Sequence, residues 1–312
     1  MRPRPLHPGD PVAVVAPASP PRRSAEYRAG LEALRALYEV REHWTAGAER
    51  GYLAAPDPVR AEALNAAIAS PAIRAVICLR GGYGSLRLLS RIDWESARSH
   101  PTLLVGYSDV TALHLAFYAR SDWIGVSGPV VTEWAKLDAD TLDPFRRLVE
   151  TGTLSLDDAA LRPVNRGTAT GPLLGGNLSV LSRLVGTPFA PDWDDAILVL
   201  EDVAEAPYRI DRMLSHLQHA GVLDEVGGVV LGDFGDGATE ADEPTLSLET
   251  VFADYFDDRP YPVATDLPYG HVLPRYSLPI GAPVELSVAP DGATLTGRRP
   301  IVAPADASGP AR

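Results

Sequence analysis

The strongest constraint on the fold is an alternation in the first half of the chain. Short, continuously apolar runs are separated by helix-like segments. The runs span residues 12–16, 75–79 and 102–107. Runs of this kind suit strands buried on both faces, as in a parallel sheet. Between them, residues 24–38 place Leu31, Leu34, Leu37 and Tyr38 at helical spacings. Residues 57–69 read as a second helix, with Pro58 suited to its first turn and Pro71 stopping it. A third helix is expected over 109–120, directly behind the third run. Strands alternating with helices predict a parallel sheet covered by helices on both faces.

Between residues 151 and 172 the pattern loosens into polar, turn-prone pieces, and a domain boundary is expected there. Beyond it, 177–185 reads as helical and 196–200 as an apolar strand ending at Glu201. Residues 207–220 form an amphipathic helix opened by Pro207 and closed by Gly221, with Ile210, Met213, Leu214 and Leu217 as its stripe. A strand is expected over 226–231, and 284–288 with 293–296 read as a hairpin around Pro290-Asp291-Gly292. The tail after Pro300 is expected to fray.

Composition narrows the function classes. A length of 312 residues suits about two domains. The net charge of −13, with no cluster of Lys and Arg, argues against nucleic acid as a partner. The single cysteine, Cys78, excludes a disulfide framework and reads as a core residue. No run approaches the ~20 apolar residues of a membrane span. The apolar run 12–16 is too short for a signal segment and is broken by Pro17. A soluble, cytoplasmic protein is expected.

Two segments promise chemistry. In Gly106-Tyr107-Ser108-Asp109 a buried strand turns into a helix, which pushes the serine hydroxyl out at the carboxyl end of the sheet, where ligands bind. The Asp109 amide would lie at a helix start, suited to an oxyanion. The segment resembles a nucleophile elbow, although Val110 stands where its last glycine would be. The plainer alternative is a simple helix cap. In Arg80-Gly81-Gly82-Tyr83-Gly84, three glycines allow a backbone to approach a ligand closely. A second oxyanion donor, a dinucleotide site or an ordinary tight turn would each suit it.

A serine nucleophile needs a base, and the chain has seven histidines. His7, His43 and His100 have no acidic partner pattern. His114 lies about 9 Å along its helix from Ser108, too far for a hydrogen bond. His216 and His219 have a metal-like spacing but no evident third ligand. His271 sits in a stiff loop, Leu267-Pro268-Tyr269-Gly270-His271, with Pro274 and Pro279 beyond. Glu201 ends an apolar strand, where an unpaired charge is costly, and Asp202 follows on the opposite face. One of the two should be partnered, by a histidine or by Arg209 or Arg212.

The segments GDPVAVVAPAS, DPVRAEALNAAI, IRAVICLRGGYG, LLVGYSDVTALHLA, PLLGGNLSVLSRLVGTP, ILVLEDVAEAPYRIDRML and GH with SLPIGAPVEL, in that order, resemble the LD-carboxypeptidase family. That family contains muramoyltetrapeptide carboxypeptidases and microcin C immunity-type hydrolases. The resemblance implies an α/β protein: a Rossmann-like N-terminal domain with a parallel sheet, residues 1–160, and a smaller β-rich C-terminal domain, 161–312. It implies a serine hydrolase whose catalytic Ser108, Glu201 and His271 meet across the domain interface. Oxyanion donors fall on the backbone amides of Asp109 and Gly82. A homodimer without metal or cofactor is expected.

The implied partner is a small peptide or a peptidyl nucleotide. Murein tetrapeptide, cut before its terminal D-Ala, comes first and an acyl adenylate second. A non-catalytic binding protein of the same fold is a third reading. Substrate contacts are expected at Arg80, Gly81, Tyr83 and Asn177. Arg80, Arg209 and Arg212 are candidates for a substrate carboxylate, and Trp134 and Trp193 for stacking on a base. Two positions depart from the family pattern. Ser127 stands where a histidine is expected, and the spacing of VLPRYSLP after His271 is atypical.

Overall fold

The computed structural model describes residues 2–44, 46–154, 156, 161–235 and 244–304. The first half supplies strands β1 (Pro11–Val15), β2 (Glu39–Glu42), β3 (Ala75–Cys78), β4 (Leu103–Gly106) and β5 (Gly125–Ser127). Its helices are α1 (Ser24–Arg35), α2 (Asp57–Ala69), α3 (Trp94–Ser99), α4 (Thr111–Ser121) and α5 (Ala139–Thr151). The five strands pair in parallel, in the order β5-β4-β3-β1-β2.

Side chains alternate between the two faces, as strand geometry dictates. Val12, Val14, Ile77, Leu103 and Val105 pack with Leu31 and Leu34 of α1. Ala13, Val15, Val76, Cys78 and Leu104 pack with Leu64 and Ile68 of α2 and with Leu113 and Phe117 of α4. This double covering explains the continuous apolar runs. Cys78 is buried within it, and burial pushes its thiol pKa up.

The second half supplies β6 (Arg162–Asn165), β7 (Gly167–Asn177), β8 (Ile197–Glu201), β9 (Gly228–Leu231), β10 (Val263–Thr265), β11 (Leu278–Ile280), β12 (Pro283–Ala289) and β13 (Gly292–Gly297). Its helices are α6 (Leu178–Leu181), α7 (Pro207–His219), α8 (Val222–Glu225) and α9 (Leu248–Phe256). A second sheet runs β13-β12-β7-β8-β9-β10-β6. Its four middle strands, β7 to β10, are parallel, and antiparallel strands flank them. The remaining strand, β11, returns to the first sheet and pairs antiparallel with β5, Leu278 opposite Ser127.

Three expectations need correction. Residues 177–185 are not one helix: Asn177 ends β7, and its side chain accepts the Val180 amide to cap the short α6. The strand was hidden by Gly175 and Gly176. A Cβ on Gly175 would lie 1.9 Å from the Val199 carbonyl oxygen, so only glycine lets β7 approach β8 there. The loose stretch before residue 172 contains β6 and the exposed arm of β7, which β12 pairs with. Residues 157–160, at the expected boundary, lie outside the described residues. The tail does not fray at once. Ile301 and Val302 are buried, and the Ile301 amide donates to the Gly152 carbonyl. Residues 305–312 lie outside the described residues.

The carboxyl ends of the two sheets meet. The Asn177 amide at the end of β7 donates to Thr111 Oγ1, in the first turn of α4, at 3.0 Å. Among the described residues no helix is long and apolar enough to cross a membrane.

Candidate active site

Ser108 follows β4 by two residues. Its φ of +64° is left-handed, a conformation costing a non-glycine residue roughly 1–2 kcal/mol. A 3-10 turn over Ser108–Val110 then leads into α4. Two side chains hold this strained turn. The His114 Nε2–H of α4 donates to the Gly106 carbonyl at 2.8 Å. His114 is fully buried, and burial pushes its pKa down to about 4, so it stays neutral. The Asp109 carboxylate accepts the Ser85 amide at 2.8 Å, tying the turn to the glycine-rich loop.

That loop passes beside the serine. A Cβ on Gly81 would sit 2.9 Å from Ser108 Cβ, so glycine is required for the approach. Gly82 has φ +105° and lies over Ser19, whose Oγ accepts the Tyr83 amide at 3.1 Å. Beneath the loop, the buried Arg60 donates to the carbonyls of Pro17, Ala55 and Gly84 and pairs with Asp57. Arg80 lies alongside, its guanidinium carbon 3.5 Å from where a Gly82 Cβ would be, and donates to the Pro20 carbonyl.

Glu201 ends β8 at 1% exposure, where, as at Asp202 with 2%, an unpaired charge is costly. Its partner is His271. Nδ1 of the imidazole lies 2.8 Å from Glu201 Oε2, and Nε2 lies 3.2 Å from Ser108 Oγ. With Nδ1–H donating to the carboxylate, Nε2 is left to accept the serine proton. Gly270, at φ +116°, makes room: a Cβ there would be 2.7 Å from Glu201 Oε2. Burial disfavours the His271 cation, but the hydrogen bond and charge of Glu201, helped by Glu133, outweigh it and raise its pKa.

Asp202 points elsewhere, accepting from Asn177, Ser179 and Val203. Neither arginine competes for Glu201: Arg209 pairs with Glu205, and Arg212 lies over the Tyr208 ring. The geometry thus brings Ser108, His271 and Glu201 into one hydrogen-bonded line. Gly81 and Asp109 lie beside the serine, Gly82 and Arg80 follow and precede Gly81 in the loop against Ser19 and Pro20, and Asn177 lies beside Glu201 across the β7–β8 pairing.

Other expectations fare differently. Trp134 and Trp193 are buried in the core at 3% and 5% exposure, so neither can stack on a ligand. Tyr83 is exposed and meets the exposed Tyr52 edge-on at 5.4 Å. Ser127 hydrogen-bonds the Tyr269 hydroxyl at 2.8 Å, so the departure at that position braces the loop of His271. Val272 and Pro268 of that loop also wall a cavity of about 870 Å³ that reaches Asp233, Phe234 and Phe252. Among the described residues no three His, Cys, Asp or Glu side chains gather in a metal-like group.

Sequence reasoning missed Arg60 and the second anchor of the serine turn, His114. The signal for both was a charged or polar residue inside an apolar helical stripe. His114 falls between Leu113 and Leu115 on a helix buried on nearly all sides.

Known proteins share this architecture. Residues 12–128 match the LD-carboxypeptidase N-terminal domain and residues 170–286 the C-terminal domain. A probable murein peptide carboxypeptidase of Bacillus subtilis is 33% identical over 299 residues, covering 94% of each chain. The structure of a muramoyltetrapeptide carboxypeptidase from Oxalobacter formigenes superposes with a TM-score of 0.85 at 29% identity, over 93% of this chain and 99% of that one. An MccF-like protein from Bacillus anthracis does so at 0.84 and 25% identity, over 95% and 99%. Two matched domains in the right order, and a relative this similar over nearly the whole length, establish that the chain belongs to the LD-carboxypeptidase family.

Proposed function

We propose that this chain is a serine carboxypeptidase that hydrolyses the L,D amide bond before the terminal D-Ala of murein tetrapeptides. The observation that carries the proposal is the hydrogen-bonded line from Ser108 through His271 to Glu201. Ser108 Oγ attacks the scissile carbonyl while His271 Nε2 takes its proton. The buried Glu201 carboxylate holds Nδ1–H and stabilises the imidazolium. Backbone amides of Asp109 and Gly82 receive the oxyanion, a role worth roughly 3 kcal/mol per donor. His271 then protonates the departing D-Ala amine. Water, activated by the same imidazole, releases the acyl group from Ser108.

Arg80 is our candidate for the substrate's terminal carboxylate. It stands beside Gly82, and its donors are engaged by a carbonyl, not by a carboxylate at salt-bridge distance. Gly81, against Ser108, and the exposed Tyr83 are further candidate contacts, whereas the buried Asn177 side chain is taken up by Asp202 and Val180. The names of the Bacillus subtilis and Oxalobacter formigenes relatives support a murein peptide substrate. Such an enzyme would recycle cell-wall fragments in the cytoplasm, and we place it there as a homodimer.

The likeness to an MccF-like protein supports a second reading, hydrolysis of acyl adenylates. The burial of Trp134 and Trp193 weighs against it, since neither offers the stacking surface a base prefers. Parallel assays decide between the two. D-Ala release from muramoyl tetrapeptide without turnover of an aminoacyl adenylate analogue supports the peptidase reading. The reverse pattern replaces it, and ligand binding without turnover of either would mark a non-catalytic relative.

A further inference from the structure

The loop that carries His271 has a second anchor, four residues further on. Arg275 is 5% exposed. Its Nη2 lies 2.6 Å from Glu133 Oε2, and its guanidinium carbon lies 4.2 Å from the centroid of the Tyr107 ring. The Tyr107 hydroxyl donates to the other oxygen of Glu133, Oε1, at 2.5 Å. The same tyrosine ring meets the His271 imidazole, with centroids 5.0 Å apart. Tyr107 immediately precedes Ser108, and Glu133 sits in the 3-10 turn Val131–Lys136 that follows β5. One ring thus touches both the arginine and the histidine, while one carboxylate ties that ring to the arginine.

A mostly buried ion pair is a poor source of net stability, because apolar residues of similar volume often do as well. What it supplies is a defined geometry, with both partners satisfied only in one arrangement. We propose that Arg275, Glu133 and Tyr107 are positioning residues, a latch that clamps the His271 loop onto the nucleophile turn and fixes the imidazole over Ser108. The proposal rests on His271 being the base of the reaction described above.

The latch also has an electrical signature. The charged groups facing His271 are Glu201 from β8, Glu133 from the 3-10 turn and Arg275 from its own loop. Tyr107 stays protonated, since burial and Glu133 push its pKa up. Glu133 favours the imidazolium and Arg275 opposes it. Replacing each should therefore move the His271 titration in opposite directions, which loosened packing alone would not do.

The test uses Glu133→Gln, Arg275→Met and the double variant, each checked for wild-type circular dichroism. His271 is titrated by NMR, with His271→Gln to assign its signals, and D-Ala release from muramoyl tetrapeptide is followed against pH. The expected result is a lower His271 pKa in Glu133→Gln and a higher one in Arg275→Met. Both should lose roughly 10–100-fold in kcat with KM unchanged, the size of effect that small misplacement of a catalytic group produces. The double variant keeps the packing without the charges, and should fold while still losing kcat. Shifts in the same direction, or folded variants with wild-type kcat and titration, would overturn the latch. Should the wild type release no D-Ala, the murein-peptide reading fails, while the NMR titrations still decide whether the charges act on His271.

Discussion

The segment that carries Ser108 is fixed largely by its own backbone and by side chains close to it in sequence, whereas the segment that carries His271 is fixed by side chains from elsewhere. Ser108 sits where a fully buried strand turns into a helix, at a left-handed φ that the surrounding sheet imposes. Gly81 acts through the path of its loop, and the Asp109 carboxylate and the His114 ring, one and six residues on, hold the turn through the Ser85 amide and the Gly106 carbonyl. His271 lies in a loop outside any strand or helix. It is placed by Glu201, by the Tyr107 ring and by the Ser127–Tyr269 hydrogen bond. Changes near Ser108 should therefore act steeply through geometry, and changes near His271 through charge and in grades.

The largest test on the histidine side is Glu201→Gln. The substitution keeps the shape but presents the wrong group to Nδ1, and kcat should fall by about 10⁴. A loss no greater than that of a distant substitution would mean that the imidazole is oriented by the loop alone. On the serine side, Gly81→Ala puts a Cβ 2.9 Å from Ser108 Cβ. It should cost about 10²-fold in kcat with little loss of stability, as read by activity and thermal unfolding together. An active alanine variant would show that the loop can retreat without harm to the turn.

The pH dependence is a smaller effect with a definite sign. His271 must be neutral to accept the serine proton, and its pKa is raised above the ordinary imidazole value. kcat/KM should therefore rise with pH, with an acid limb above about 6.5. An acid limb below that value would mean that Glu201 does not act on His271 as the geometry requires. Smallest is Ser127→Ala, which leaves the buried Tyr269 hydroxyl without its partner. It should cost about 1 kcal/mol in denaturant unfolding and lower kcat only a few-fold, since Glu201 and the Tyr107 ring still hold the imidazole.

The same contrast governs what could be read in advance. The first sheet was legible because its strands are buried on both faces, so each announces itself as an apolar run. Ser108 was legible because strand, turn and helix are local in sequence. The pairing of His271 with Glu201 joins residues 70 apart, and no local pattern encodes it. The residues alone left Glu201 and Asp202 open, and the family resemblance singled out Glu201. The strand β7 was misread because Gly175 and Gly176 carry no side chains to reveal its pattern, although they are what let it lie against β8. The latch of Tyr107, Glu133 and Arg275 was invisible for a related reason. Its three members come from three separate segments, and each alone reads as an ordinary residue.

Everything in the proposed reaction turns on attack by Ser108. The most direct measurement compares D-Ala release from muramoyl tetrapeptide by the wild type and by Ser108→Ala, both shown to be folded. The wild type should release D-Ala, and the rate should fall by about 10⁴–10⁶ in the variant. Release by the variant at a rate near that of the wild type would contradict attack by Ser108.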